Sequence, residues 1–100
     1  MNIETELNDN QVISRLTGKL TNEVITNHGK EIDLLKKNAD KEIILDCTKL
    51  ESVSYSGLRM FLSLKKYTIE QGGEIIIKGG NTDIIQLFNV TGFHSFFTFK

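Results

Sequence analysis

Proline and tryptophan are absent from this chain of 100 residues, and cysteine occurs once, at Cys47. Without proline there is no Pro-rich linker, and without tryptophan there is no tryptophan-anchored interface. A lone cysteine cannot close an internal disulfide, which fits a reducing, cytoplasmic compartment. No apolar run approaches the roughly 18 residues of a membrane span, and no cationic start followed by an apolar stretch marks a signal peptide. Neither sign of charge is in excess. Twelve Lys and Arg stand against 13 Asp and Glu, for a formal net charge of -1 and a pI near 6.1, with the basic residues scattered. That balance speaks against a phosphate backbone or an anionic membrane as the main partner.

Chemistry-bearing constellations are equally scarce. The two histidines, His28 and His94, lie far apart with no cysteine or paired carboxylate at ligand spacing, so no metal site is expected. Cys47 ends an apolar run with no second cysteine nearby and reads as a small core hydrophobe. The pairs Gly72-Gly73 and Gly79-Gly80 lack the Lys-Ser/Thr or third glycine of a phosphate-binding loop and read as turns. Glu42, Asp46, Glu51 and Glu74 form no recognisable acid-base pair. The residues thus give no catalytic site and no bound cofactor, and the chain is not expected to be an enzyme.

What is present is a regular alternation. With 39% hydrophobic and 25% charged residues, the composition suits one soluble domain over residues 1–100. "NIETELND" and "NQVISRLTG" each alternate apolar and polar residues around Asn8-Asp9-Asn10, predicting an N-terminal β-hairpin. Thr21 can cap a helix carrying Val24, Ile25, His28, Ile32 and Leu35 and ending near Asn38-Ala39-Asp40. "EIILDC", residues 42 to 47, reads as a central strand. From Gly57 a second helix places Leu58, Phe61, Leu62, Leu64 and Ile69 on one apolar arc until Gly72-Gly73. "EIIIKG", residues 74 to 79, is a further strand. Asn81 or Thr82 then caps a short helix, and "SFFTF" closes as a strand. The order β-β-α-β-α-β-α-β predicts an α/β domain with a mixed β-sheet, parallel in its second half.

The run Ser54-Tyr55-Ser56-Gly57, between strand and helix, has two physical uses. A hydroxyl can cap the free N–H groups of the helix and a glycine permits close backbone approach. Alternatively, an exposed serine at a helix N-terminus sits where macrodipole and orphan amides favour an added phosphate.

Read in order, "DCTKLESVSYSGL", from Asp46 to Leu58, resembles without a gap the signature of the STAS domain family, the anti-sigma factor antagonists. There a buried strand ends in Asp-Leu-Ser and leads through an apolar residue to Asp-Ser-Ser-Gly-Leu or Ser-Ser-Ala-Gly-Leu-Arg. Asp46 and Thr48 match the strand end, Leu50 the apolar position, Ser56 the phosphoacceptor serine, and Gly57-Leu58 the Gly-Leu that follows. Ser54 stands where the family usually carries an acid, and Tyr55 where it carries the middle serine. The likeness extends back to "RLTGKLT" and forward through "EQGGEIIIKGGNTDIIQLFNVTGFHSFFTF", nearly the whole chain.

The resemblance implies a single STAS-like domain with helices largely on one face of the sheet, and binding as the activity. An unphosphorylated antagonist captures an anti-sigma factor that is also a serine kinase. Phosphorylation of Ser56, or alternatively Ser54, releases it, and a PP2C-like phosphatase restores the first state. ATP would belong to the kinase. A stand-alone STAS subunit bound to the ATP-binding cassette ATPase of a lipid transporter is the alternative. Neither direct nucleic-acid contact nor membrane insertion is implied, and the oligomeric state is left open. At helical spacing, Ser56, Met60, Ser63 and Tyr67 form an edge strip with Arg59 beside it, or else Met60 and Tyr67 extend the core contact. With Ser54, Tyr55 and Gly57 these residues make up the expected partner-binding surface.

Overall fold

A computed structural model describes all 100 residues. The hairpin forms as the alternation predicts: β1 (Asn2–Leu7) pairs antiparallel with β2 (Gln11–Leu20). The Asn8 side chain accepts from the N–H groups of Asn10 and Gln11 at 3.1 and 2.8 Å, closing the turn. Then come α1 (Asn22–Asn27), α2 (Gly29–Lys37), β3 (Glu42–Val53), α3 (Tyr55–Gln71), β4 (Glu74–Lys78), α4 (Thr82–Thr91), a single 3-10 turn (Phe93–Phe96) and β5 (Thr98–Phe99). The five strands lie in sequence order, with β2, β3, β4 and β5 parallel, so the sheet is mixed.

Side-chain alternation divides the sheet into two unlike faces. Val12, Leu16, Ile43, Leu45, Cys47, Ile75 and Ile77 join Ile32, Leu35, Leu58, Phe61, Leu64, Ile84 and Phe88 of the helices in one core of 18 buried residues. Ile13, Ile44 and Ile76 point the other way and lie outside that core. The helices therefore cover one face, as expected. Phe88 anchors the far end, its ring 5.9 Å from Phe61 and edge-on to Phe97 and Phe99 at 5.5 and 5.4 Å.

Three elements depart from the sequence expectation. The single helix after Thr21 is two, broken at His28, whose φ of -111° and ψ of 31° are not helical. Asn27 and Gly29 are weak helix formers, and the break lets Val24 and Ile25 of α1 and Ile32 and Leu35 of α2 each reach the core. β3 runs on to Val53, because it keeps pairing with β2 across two register shifts, as far as Leu20 opposite Val53. Those shifts break the period-2 pattern, leaving Thr48 and Lys49 exposed in succession, and this hid the strand's second half. At the C-terminus, Ser95 and Phe96 belong to the 3-10 turn, and only Thr98–Phe99 pairs with β4.

Cys47 is fully buried, and burial first, then the neighbouring Asp46 charge, pushes its thiol pKa up to about 12. The thiolate is the reactive form. Native chain is therefore expected to resist an aromatic disulfide reagent at pH 8 and to release one thiol equivalent when guanidinium unfolds it. Rapid reaction of the folded chain would contradict the packing of β3.

Candidate functional site

The C-terminal ends of β2 and β3 lie side by side, and each feeds directly into a helix. Thr21 caps α1 by accepting the Val24 N–H at 3.2 Å. Ser54 caps α3, its hydroxyl oxygen accepting the Gly57 N–H at 3.1 Å while its own N–H donates to the Leu20 carbonyl at 2.8 Å. The start of α3 is thereby fixed to the end of β2.

Gly57 explains why the junction is tight. It is buried, and a Cβ there would lie 2.8 Å from Val53 Cγ1 and 3.0 Å from Leu20 Cδ2. The glycine serves close packing of α3 on two apolar side chains at its base. Gly57→Val is expected to destabilise the domain by about 1–3 kcal/mol through overpacking. Urea denaturation should show a lower midpoint with an unchanged slope, and an unchanged midpoint would mean the base of α3 is looser than these distances imply.

The two serines differ in what their oxygens do. The Ser54 hydroxyl is committed to the cap, whereas the partly exposed Ser56 hydroxyl makes no hydrogen bond to another protein group. Ser56 sits in the first turn of α3, where the helix dipole is positive. Tyr55 beside it is 69% exposed. At the strand end, Asp46 Oδ1 accepts from the Thr48 N–H at 3.0 Å and the Thr48 hydroxyl at 2.6 Å. Chiefly through that hydroxyl, its carboxyl is held below the usual aspartate range.

The expected surface is only partly continuous. Ser56, Arg59, Met60 and Ser63 line one shallow groove of about 350 Å³, whose opposite wall comes from Asn22, Ile25, Ile32 and Lys36. Met60 is 9% exposed and belongs to the core, so it forms the floor of this groove and does not project as a contact. Gly57 is buried on the inner face of α3 and offers no contact surface. Tyr67, partly exposed at the far end of the strip, has Lys36 Nζ 5.3 Å above its ring. Arg59 is exposed, as is Ile69, at 70%. Ile69 was expected in the apolar arc, but near the C-terminal end of α3 it is left in solvent. The wall from α1 and α2 was missed because nothing in helical spacing says which neighbouring helix an edge strip will meet.

The sequence model of the STAS domain family matches residues 2–100. Solved structures share the fold at low identity. SpoIIAA, an anti-sigma factor antagonist, in its unphosphorylated form superposes with a TM-score of 0.82 at 15% identity, covering 99% of this chain and 88% of that one. The phosphorylated form of SpoIIAA from Bacillus gives 0.75 at 17%, covering 99% and 91%. A putative anti-sigma factor antagonist from Thermotoga maritima gives 0.85 at 19%, covering 97% and 84%.

Proposed function

The chain belongs to the STAS domain family, and we propose that it is an anti-sigma factor antagonist that switches partners through Ser56. Unphosphorylated, it binds an anti-sigma factor serine kinase across the start of α3; phosphorylation ends the complex, and a PP2C-like phosphatase restores it. The observation that carries this reading is the contrast between two neighbouring hydroxyls. Ser54 holds the helix cap, and Ser56, two residues further, has a partly exposed hydroxyl with no protein partner.

The chemistry asks little of this chain. The Ser56 oxygen attacks the γ-phosphorus of the kinase's ATP, its proton passes to a base on the kinase, and ADP leaves with the bridging oxygen. What the chain supplies is a rigid acceptor at a helix end. The phosphate adds about -1.5 to -2 charge on a surface that must shed water to dock. Tyr55 and Arg59 flank the acceptor as exposed contacts, and Ser63 continues the strip along the groove, with Tyr67 beyond its end. Binding is the whole activity, in a cytosolic setting; no helix of the chain is long and apolar enough to cross a membrane.

Affinity capture from lysate of the native host, followed by mass spectrometry, tests the partner. Phosphopeptide mapping after incubation with that partner and MgATP tests the site. The expected result is a kinase of the histidine-kinase-like ATPase fold and one phosphate, on Ser56. Recovery of a transporter ATPase with no phosphate on either serine would overturn the reading.

A further inference from the structure

The sheet face turned away from the helices bears an ordered pattern that the Ser56 switch does not use. No helix packs on it: Ile13 and Ile44 are partly exposed in neighbouring strands, whereas Ile76 beside them is buried, at 5% exposure. Directly above these isoleucines, four charges lie in register across four strands. Glu4 of β1 is opposite Arg15 of β2, Arg15 opposite Asp46 of β3, and Asp46 opposite Lys78 of β4, so the row alternates in sign. Glu6, in the isoleucine row, reaches back to Arg15 Nη1 at 2.9 Å.

An alternating row of this kind is self-complementary under one symmetry operation. Consider a second copy placed face to face, related by a two-fold axis parallel to the strands and running between β2 and β3. The axis inverts strand order, setting Glu4 over Lys78 of the other copy and Arg15 over Asp46, and each pairing occurs twice. It also stacks Ile13 on Ile44 at the centre. A two-fold axis perpendicular to the strands does the reverse, laying Glu4 on Glu4 and Lys78 on Lys78. Two twisted sheets pack in this aligned manner about 10 Å apart with apolar side chains between them.

We propose that the chain self-associates through this helix-free sheet face as a strand-parallel two-fold dimer, with Ile13 and Ile44 at the centre and the Glu4–Lys78 pairs at the rim. The occupant is a second copy because the row inverted sets an opposite charge over every charge of the row, Glu4 over Lys78 and Arg15 over Asp46. With strands about 4.8 Å apart and about 3.3 Å of rise per residue, the four-strand face spans roughly 20 Å each way. That places the contact at the low end of specific interfaces, and the dimer is weak and reversible. It lies on the side of the sheet opposite α3, so it leaves Ser56 accessible and stands independently of the proposed partner switch.

Sedimentation equilibrium at low ionic strength, with chain concentration raised to roughly 1 mM, tests it. The mass is expected to rise from the 11.3 kDa of the monomer towards twice that value. Glu4→Lys and Lys78→Glu, both at exposed positions, should each remain folded by circular dichroism and each dimerise at least about tenfold more weakly, because like charges then meet at both rims. An equimolar mixture of the two variants should dimerise as well as the unmodified chain, since every rim pair in the mixed dimer is again of opposite sign. A chain that stays monomeric throughout, single variants that associate undiminished, or a mixture that fails to recover would each overturn the proposal.

Discussion

Gly73→Ala is expected to lower the melting temperature by at least about 15 °C, the largest loss expected for alanine at any of the glycines. Gly73 follows the left-handed Gly72 at the end of α3, where the N–H groups of both residues donate to the Thr68 carbonyl at 2.8 and 3.0 Å. A Cβ on Gly73 would be driven into the carbonyl oxygens of Ala39 and Lys41. Those oxygens are backbone, and Lys41 also accepts the Glu74 N–H at 3.2 Å where β4 enters beside β3. Neither side can yield without parting the two central strands, so the cost is about 4 kcal/mol or more, a large part of the stability of a small domain. Gly72→Ala is the control. Its φ of 87° is strained for alanine, yet open space surrounds it, and a cost of about 1 kcal/mol is expected. Thermal melts that fall equally for the two variants would contradict the close approach at Gly73.

The second large effect is on binding. Ser56→Asp is expected to weaken capture of the kinase partner at least about 100-fold, or about 2.7 kcal/mol. The substitution puts a charge beside Tyr55 and Arg59, where the proposed docking must exclude water, and a carboxylate carries less charge than the phosphate it imitates. The N-terminal turn of α3 favours the added negative charge, so the folded domain should be no less stable than before. Ser56→Ala removes a hydroxyl with no protein partner and should bind nearly as well as the unmodified chain. Calorimetric titration and circular dichroism on the same samples separate a lost contact from a lost fold. Equal affinity for the Asp and Ala variants would remove the first turn of α3 from the interface.

The parts of this account legible in the sequence are those governed by local rules. Alternation around Asn8 gives the hairpin, Thr21 and Asn81 mark helix starts that their side chains do cap, and Gly72 stops α3 in the left-handed conformation a C-cap requires. What stayed hidden depends on neighbours distant in the chain. The second half of β3 survives a broken alternation because β2 shifts register to meet it. Met60 and Ile69 are equally apolar at positions on the rim of a helical arc. Their fates differ because α1 and α2 pack against the flank of α3 that carries Met60, whereas Ile69, near the C-terminal end of the helix, is 70% exposed. For the same reason Gly57 was legible as a tight junction, but its close neighbours Leu20 and Val53 were not. The division of labour between Ser54 and Ser56 was open in the sequence, where both precede the same helix, and rests on where the first turn begins.

The central claim is that a phosphate on Ser56 ends the complex with the kinase partner. Its most direct measurement is the affinity of one preparation of the chain before and after stoichiometric phosphorylation by that partner, with the phosphate located by peptide mass spectrometry and then removed by a PP2C-type phosphatase. The account predicts at least about a 100-fold loss on phosphorylation and full recovery on its removal. An affinity unchanged by a phosphate shown to be on Ser56 would contradict it.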